Sequence, residues 1–376
     1  MRIIYLHQYF TTPTMQGGTR SYELARRLVR MGHEVHMVTS DRQPGNEARG
    51  WRESDESGIH VHWLPVPYSQ KMSYPERMRA FGNFAINSSH RAAQLAGDVV
   101  YATSTPLTIA VPGIVASKWN RRPMVFEVRD LWPAIPIAVG ALKSRPAILA
   151  AQALEKAAYA GAAHIVALSP GMKAGVEAAG VSPDKITIIP NLCDPERFHV
   201  PAAEGQAFRR KYPWLGDRPM VLYAGTLGLV NGVDYLVRVA ADVLARDAEV
   251  RFVILGRGSE EPALHALAER LGVKDRNLFF LPPVPKAEVP AVLSAATIAT
   301  SLFTDVPGME DNSANKFFDA LASSRPLALN YGGWQAELLE QERFGLRLPP
   351  KDISAAGAML ARRVRDSQWL AEAGSR

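Results

Sequence analysis

Residues 1–40 read MRIIYLHQYF TTPTMQGGTR SYELARRLVR MGHEVHMVTS, and this stretch decides the fold class. Ile3–Leu6 is a short aliphatic, β-branched run of the kind that forms a strand. The loop Thr11–Thr19 follows, with Gly17–Gly18 just ahead of a helical pattern. In Ser21–Arg30, Leu24, Ala25 and Leu28 fall on one helical face. Glu34–Thr39 is strand-like again. Strand, loop, helix and strand in that order make a βαβ unit, which implies a parallel sheet covered by helices.

The alternation runs on along the chain. Ile59–Leu64, Val99–Ala102, Met124–Val128, Ile165–Leu168 and Ile186–Ile189 continue the strand series. It pauses at the turn-rich Pro190–Asn191–Leu192–Cys193–Asp194–Pro195 and the polar stretch to Asp217. It restarts with Met220–Tyr223, a helix from Gly232, Arg251–Leu255, a helix from Glu260, Leu278–Leu281, Ile298–Ser301 and Pro326–Leu329. The expectation is an α/β protein of two doubly wound, Rossmann-like domains, residues 1–189 and 190–376. Ligands of such sheets bind at the carboxyl ends of the strands, so a shared substrate is expected in the cleft between the halves.

Composition agrees and excludes other classes. At about 150 residues per domain, 376 residues allow two. With 47% apolar and 21% charged residues, wholesale disorder, a collagen-like chain and a coiled coil are excluded. The net charge of +6 is spread out with no basic run, which favours an anionic partner without pointing to nucleic acid. Aromatics are not interleaved with bases on one face, so no nucleic-acid role is expected. Cys193 is the single cysteine, which excludes an internal disulfide and fits a reducing compartment. Met1–Phe10 lacks the layout of a signal peptide, and Glu155, Lys156 and His164 interrupt the apolar stretch Ala147–Leu168. A cytoplasmic protein without a transmembrane helix is expected.

The richest chemistry lies in Gly308–Met309–Glu310–Asp311–Asn312–Ser313–Ala314–Asn315–Lys316–Phe317–Phe318–Asp319. Asn312 or Ser313 is a natural N-cap, so a helix should start there. The N–H groups of Ser313, Ala314 and Asn315 would then form an anion site with Lys316 beside it. Asp311 lies at the helix mouth, and Asp319 stands two turns in, on the side of Asn315. Carboxylates so placed can grip hydroxyls on either side of a diphosphate. A capped surface helix with unrelated charges is the other reading. Gly17–Gly18 can likewise admit a phosphate or sugar to the backbone, or be a plain strand–helix turn.

With these motifs in order, the chain resembles the family 4 glycosyltransferases, which have the GT-B fold of two facing Rossmann-like domains. Most of that family carries two glutamates with seven residues between them at the start of this helix, and Asp311 and Asp319 match them. Gly17–Gly18 with Glu23–Leu24–Ala25, Gly32–His33–Glu34–Val35 and Ile189–Pro190–Asn191–Leu192–Cys193–Asp194 look like further family segments. Asp311 to Asp319, with Arg129–Asp130–Leu131–Trp132–Pro133, resembles a branch that builds bacterial O-antigen and capsule and includes N-acetylfucosamine transferases. The resemblance implies a retaining, metal-independent transferase without a cofactor. It would move a sugar, an N-acetylated or deoxy hexose, from a nucleotide diphosphate, UDP foremost, to a hydroxyl of a glycan or a polyprenyl-diphosphate-linked acceptor. A nucleotide-sugar epimerase and a non-enzymatic partner of the same fold remain the alternatives.

By position, Asp311 would hold sugar hydroxyls, Asp319 the ribose, and Ser313–Asn315 the diphosphate, with Asn312 also at the donor. Leu281 and Pro283, in Phe280–Leu281–Pro282–Pro283, match the loop whose backbone meets the base. The family's arginine and lysine after the first strand of the second domain are replaced, in Gly225–Gly232, by Thr226 and Asn231. Lys316 is the first candidate for the missing charge and Arg257 the second, unless Arg257 is a turn residue facing water. Arg129 stands where many relatives have a histidine near the reacting sugar. Asp130 can orient or deprotonate an acceptor hydroxyl, or pair with Arg129 to brace the loop.

Residues 68–84 mix bases with aromatics and methionines, and Arg77 and Phe81 align if the segment is helical. This would suit contact with the inner face of a plasma membrane, or an ordinary solvated helix. His33 and His36 flank a strand entry, His60 and His62 share one strand face with no carboxylate cluster nearby, and no metal site is expected. The family ends on a helix that crosses back to the first domain. The pattern from Asp352 to Arg376 looks like an incomplete version of it.

Overall fold

The apolar runs of the first half pair into one sheet and those of the second half into another. The computed structural model describes residues 1–43, 49–69 and 72–376, apart from the Tyr74 side chain. It divides into two units, Met1–Thr12 with Thr19–Pro190 and Pro13–Gly18 with Asn191–Arg376.

The first unit is built on β1 (Arg2–Leu6), β2 (Glu34–Asp41), β3 (Arg52–Glu56), β4 (Ile59–Pro65), β5 (Val99–Thr103), β6 (Met124–Val128), β7 (His164–Ala167) and β8 (Ile186–Ile188). Their order is β3-β4-β2-β1-β5-β6-β7-β8. Every pairing is parallel except β3 with β4. Alternation along β1 feeds two cores: Ile3 and Tyr5 pack with Tyr22 and Ala25, Ile4 and Leu6 with Phe84, Ala116 and Tyr159. β3 was not expected, because Arg-Glu-Ser-Asp-Glu has no apolar residue. Ser57 and Gly58, at φ 61° and 83°, make a tight turn back into β4. A charged edge strand also discourages further pairing.

The second unit carries β9 (Met220–Ala224), β10 (Arg251–Leu255), β11 (Leu278–Leu281), β12 (Ile298–Ser301), β13 (Leu327–Leu329) and β14 (Gly345–Arg347). All are parallel, in the order β11-β10-β9-β12-β13-β14. β14 is a second addition to the expected strands; a Cβ at Gly345 would strike the Leu327 carbonyl, so glycine permits the pairing. The terminal stretch, expected to hold an incomplete crossing helix, forms Ile353–Arg363 and Ser367–Ser375. Ile353, Trp369 and Leu370 pack against the core of the second unit. Among the described residues no helix is long and apolar enough to cross a membrane.

Candidate functional site

In the second unit the sheet grows from β9 in both directions, to β10 on one side and β12 on the other. Such a switch point leaves a crevice at the carboxyl ends of β9 and β12. The loops leaving those two strands carry Gly225–Gly232 and the segment that ends in Asp319.

Gly225 opens the first loop. A Cβ there would collide with the Lys316 methylenes, so glycine lets that side chain lie along the backbone. Lys316 Nζ stands 5.2 Å from the Tyr223 ring centroid. Burial lowers its pKa to about 8; Asp319 pulls the other way and Lys286 pushes it down further. Gly256 and Gly258 press on the backbone of Gly225 and Leu227, and between them Arg257 is exposed. Thr226 is exposed as well, whereas Asn231 is buried at the end of the 3-10 turn Leu229–Asn231.

The helix begins later than its sequence implies. It runs Asn315–Ala322, with Ala314 in the cap position, rather than from Asn312 or Ser313. Met309–Asp311 forms a 3-10 turn ending on Asn312, and the Ser313 hydroxyl accepts the Asn191 N–H at 3.1 Å instead of capping the helix. The Ala314 N–H, expected in the anion site, donates to Gln335 Oε1 at 3.4 Å. The unsatisfied first turn therefore belongs to Asn315 and Lys316. Asp311 is half-buried in the 3-10 turn, and burial, then the neighbouring Glu310, raises its pKa.

Asp319 has partners that sequence reasoning missed. Lys286 Nζ lies 2.6 Å from its Oδ2, the two side chains being 16% and 14% exposed. The Cys193 thiol donates to Oδ1 at 3.4 Å. The pairing joins residues far apart in the chain, and the one local signal was the position of Lys286 just after Leu281 and Pro283. Both of those are half-buried. The glycine loop also belongs here. Lys286 N–H donates to the Met15 carbonyl at 3.2 Å, Ala287 N–H to Pro13 at 3.1 Å, and Gln16 Nε2 to Pro283 at 3.4 Å. A Cβ on Gly18 would lie 3.3 Å from Asn315 Nδ2, and Gly17 has a φ of 132°. The unit thus gathers Gly17, Gly18, Gly225, Lys286, Asn315, Lys316 and Asp319. Two lysines and the open first turn of a helix make it suited to a phosphorylated ligand bearing hydroxyls.

In the first unit, Arg129 and Asp130 follow β6. Arg129 Nη1 lies 3.3 Å from His7 Nε2, and its N–H donates to Ser104 Oγ at 3.0 Å. Arg129 and Asp130 do not form an ion pair; Thr105 donates its hydroxyl to Asp130 at 2.7 Å, and burial raises the Asp130 pKa. His7 is held neutral, chiefly by burial and then by Arg129 and Arg42. Contrary to expectation, His62 of β4 has a carboxylate beside it: His36 bonds His62 at 3.1 Å, with Glu34 and Glu53 at the far nitrogens. Even so, no group of three or more metal-ligating side chains is arranged to hold an ion among the described residues. In residues 68–84, Gln70 and Lys71 lie outside the described residues. Phe81 stacks on Tyr68 with centroids 5.7 Å apart and Phe84 is buried, so these aromatics face inward.

Two models of glycosyltransferase domains match in succession: a glycosyl transferase 4-like domain over residues 17–192 and the group 1 glycosyl transferases over 218–366. The chain is a group 1 glycosyltransferase. A relative is WcaI of Escherichia coli, whose name places it in colanic acid biosynthesis; it is 26% identical over 75% of this chain and 72% of its own. Anabaena HepE, solved with UDP and glucose, superposes with a TM-score of 0.71 at 17% identity, over 100% of this glycosyltransferase and 93% of HepE. WaaG, a glycosyltransferase involved in lipopolysaccharide biosynthesis, superposes with a TM-score of 0.72 at 16% identity, over 99% and 94%. These likenesses show the GT-B fold: two α/β units, each built on a Rossmann-like sheet that is parallel but for the edge strand β3.

Proposed function

We propose that this glycosyltransferase is a retaining, metal-independent enzyme of bacterial surface polysaccharide synthesis, O-antigen or capsule. It takes an N-acetylated or deoxy hexose from a UDP-linked donor to a hydroxyl of a glycan or polyprenyl-diphosphate-linked acceptor. The observation that carries the reading is Lys316, half-buried against Gly225 at the mouth of the helix that bears Asp319. It brings a cation to the switch point although Thr226 and Asn231 supply none. Colanic acid biosynthesis in the name of WcaI and lipopolysaccharide biosynthesis for WaaG support the polysaccharide assignment, and the HepE complex supports UDP.

In this reading the bond from the sugar C1 to the diphosphate oxygen breaks as the acceptor oxygen bonds C1 on the same face, and the acceptor's hydroxyl proton passes to the departing diphosphate oxygen. Lys316 and the N–H groups of Asn315 and Lys316 stabilise the charge growing on the departing diphosphate. Asp311 holds sugar hydroxyls and Asp319 the ribose. Leu281 and Pro283 border the base, with Arg257, Gly17 and Gly18 near the phosphates. Asp130, fixed by Thr105, orients the acceptor hydroxyl with Arg129 beside it. Residues 68–84 are proposed to meet the inner face of the plasma membrane, with Met78 and Arg79 among their exposed side chains.

Thermal unfolding against a panel of nucleotides and nucleotide sugars tests the donor. UDP or a UDP-sugar should raise the transition by several degrees in the wild type and not in Asp319→Ala. A shift with GDP alone would change the donor. No shift with any nucleotide would favour a partner protein without catalysis, and conversion of the donor without acceptor would indicate an epimerase.

A further inference from the structure

We propose that Lys286 is the positioning residue of the donor site, fixing the Asp319 carboxylate so that Oδ1 accepts a ribose hydroxyl and tying that orientation to the glycine loop Pro13–Gly18. The proposal rests on the reading of Asp319 as the ribose ligand given above and adds a residue to it.

The geometry supplies three ties from one residue. The ammonium takes Oδ2 of Asp319 at 2.6 Å, in a pair largely removed from solvent. The backbone N–H takes the Met15 carbonyl at 3.2 Å, and Ala287 beside it takes Pro13. The chain reaches Lys286 directly from Pro283–Val284–Pro285, which runs on from the segment assigned to the base. The ammonium also lies 4.9 Å from the Phe198 ring centroid, a further constraint on where it can stand. The segments assigned to the base, the ribose and the phosphates are thus held in register through one side chain and its own backbone.

The carboxylate shows which oxygen is left for a ligand. Oδ2 is committed to a charge-assisted bond. Oδ1 meets the Cys193 thiol, a weak donor, at 3.4 Å. Burial and the adjacent Asp319 push the thiol pKa up, so Cys193 stays protonated. A hydroxyl is a better donor to a carboxylate than a thiol, so a ribose exchanges a weak contact for a strong one at Oδ1 while Lys286 keeps Oδ2. Without the lysine, the carboxylate is free to rotate, and the hydroxyl loses its aimed acceptor.

The test compares the affinities of UDP and 2′,3′-dideoxy-UDP for the full chain. The wild type should prefer UDP by about tenfold or more, as expected for a hydrogen bond to a charged group. Asp319→Asn should lose that preference. Lys286→Met, which keeps the side-chain stem and the backbone N–H, should lose most of it too. Lys286→Arg, which keeps the charge, should retain it. A role confined to stability would lower the unfolding temperature of Lys286→Met and leave the ratio untouched. A Lys286→Met ratio equal to that of the wild type therefore overturns the proposal. If the wild type binds UDP without preferring the ribose hydroxyls, or does not bind it, the ribose reading of Asp319 falls first and this assignment with it.

Discussion

Lys316 is a candidate site residue whose surroundings alter its chemistry. Burial lowers its pKa to about 8, so it loses its proton within an accessible range. A donor diphosphate requires the ammonium. Affinity for a UDP-sugar, whose phosphates stay ionised throughout, should therefore be level below pH 8 and weaken above it, by up to about tenfold per pH unit for one proton. The stability term has the opposite sign: the unfolded chain holds this proton up to the ordinary lysine pKa, so stability rises with pH above about 8. Lys316→Arg keeps its charge and should make the binding profile flat. Titration calorimetry from pH 7 to 9.5 checks both variants, and a wild-type profile as flat as the arginine variant would remove Lys316 from the phosphate site. Much of this candidate site was legible at residue scale: a lysine beside a helix mouth, two aspartates with seven residues between them, and glycines ahead of a helix are local patterns. The ion pair of Asp319 with Lys286 was not, because it joins positions 33 residues apart through the tertiary fold. The helix start was misjudged for a related reason. Ser313 has the composition of a cap, but its hydroxyl accepts the Asn191 N–H from a distant turn.

At the scale of elements, the helix Arg20–Arg30 is anchored by its first residue. Arg20 Nη2 meets Glu127 at 2.8 Å, the side chains being 2% and 0% exposed, and also donates to the Ile189 carbonyl at 2.9 Å. Its Nη1 donates to Pro190. Tyr101 and Thr103 add hydroxyl donors to Glu127 at 3.0 and 2.9 Å. Burial alone would raise the Glu127 pKa, but Arg20, with Arg129 and the Thr103 hydroxyl, outweighs it and holds the carboxyl ionised below its usual range. One residue thus joins a helix start, the end of β6 and the last residues of the first unit. Arg20→Met strands a buried carboxylate and should destabilise the protein by about 3–5 kcal/mol. Adding Glu127→Gln removes the stranded charge and should restore much of the loss. Urea denaturation of the single and double variants measures this; equal stability of the two would mean that the charge is not the reason. Neither partner was visible from the sequence. Most elements were, because their apolar periods are local; the exceptions, β3 and β14, are a strand without an apolar residue and a strand of three residues.

For the whole molecule, connectivity matters as much as the sheets. The chain passes between the units three times, at Thr12–Pro13, Gly18–Thr19 and Pro190–Asn191, and the first two passages bring only Pro13–Gly18 into the second unit. That short loop follows β1, yet its carbonyls accept N–H bonds from Lys286 and Ala287. A nucleotide bound at the switch point of the second sheet should therefore protect a peptide from near the amino terminus along with peptides far from it in sequence. In hydrogen exchange, UDP should slow residues 13–18, 283–288 and 309–320 together. In calorimetry at about a hundred times Kd, binding adds about 2.7 kcal/mol to whichever unit holds the ligand. At roughly 2–4 °C per kcal/mol for a unit of this size, that is a rise of about 5–11 °C in its transition. Protection confined to residues 127–130 and the rest of the first unit would put the nucleotide on the other sheet. Slowing at 283–288 and 309–320 but not at 13–18 would leave the second unit as the donor site and reduce the glycine loop to a turn. Joint protection of all three is the expected result, because the backbone of Lys286 already carries the loop.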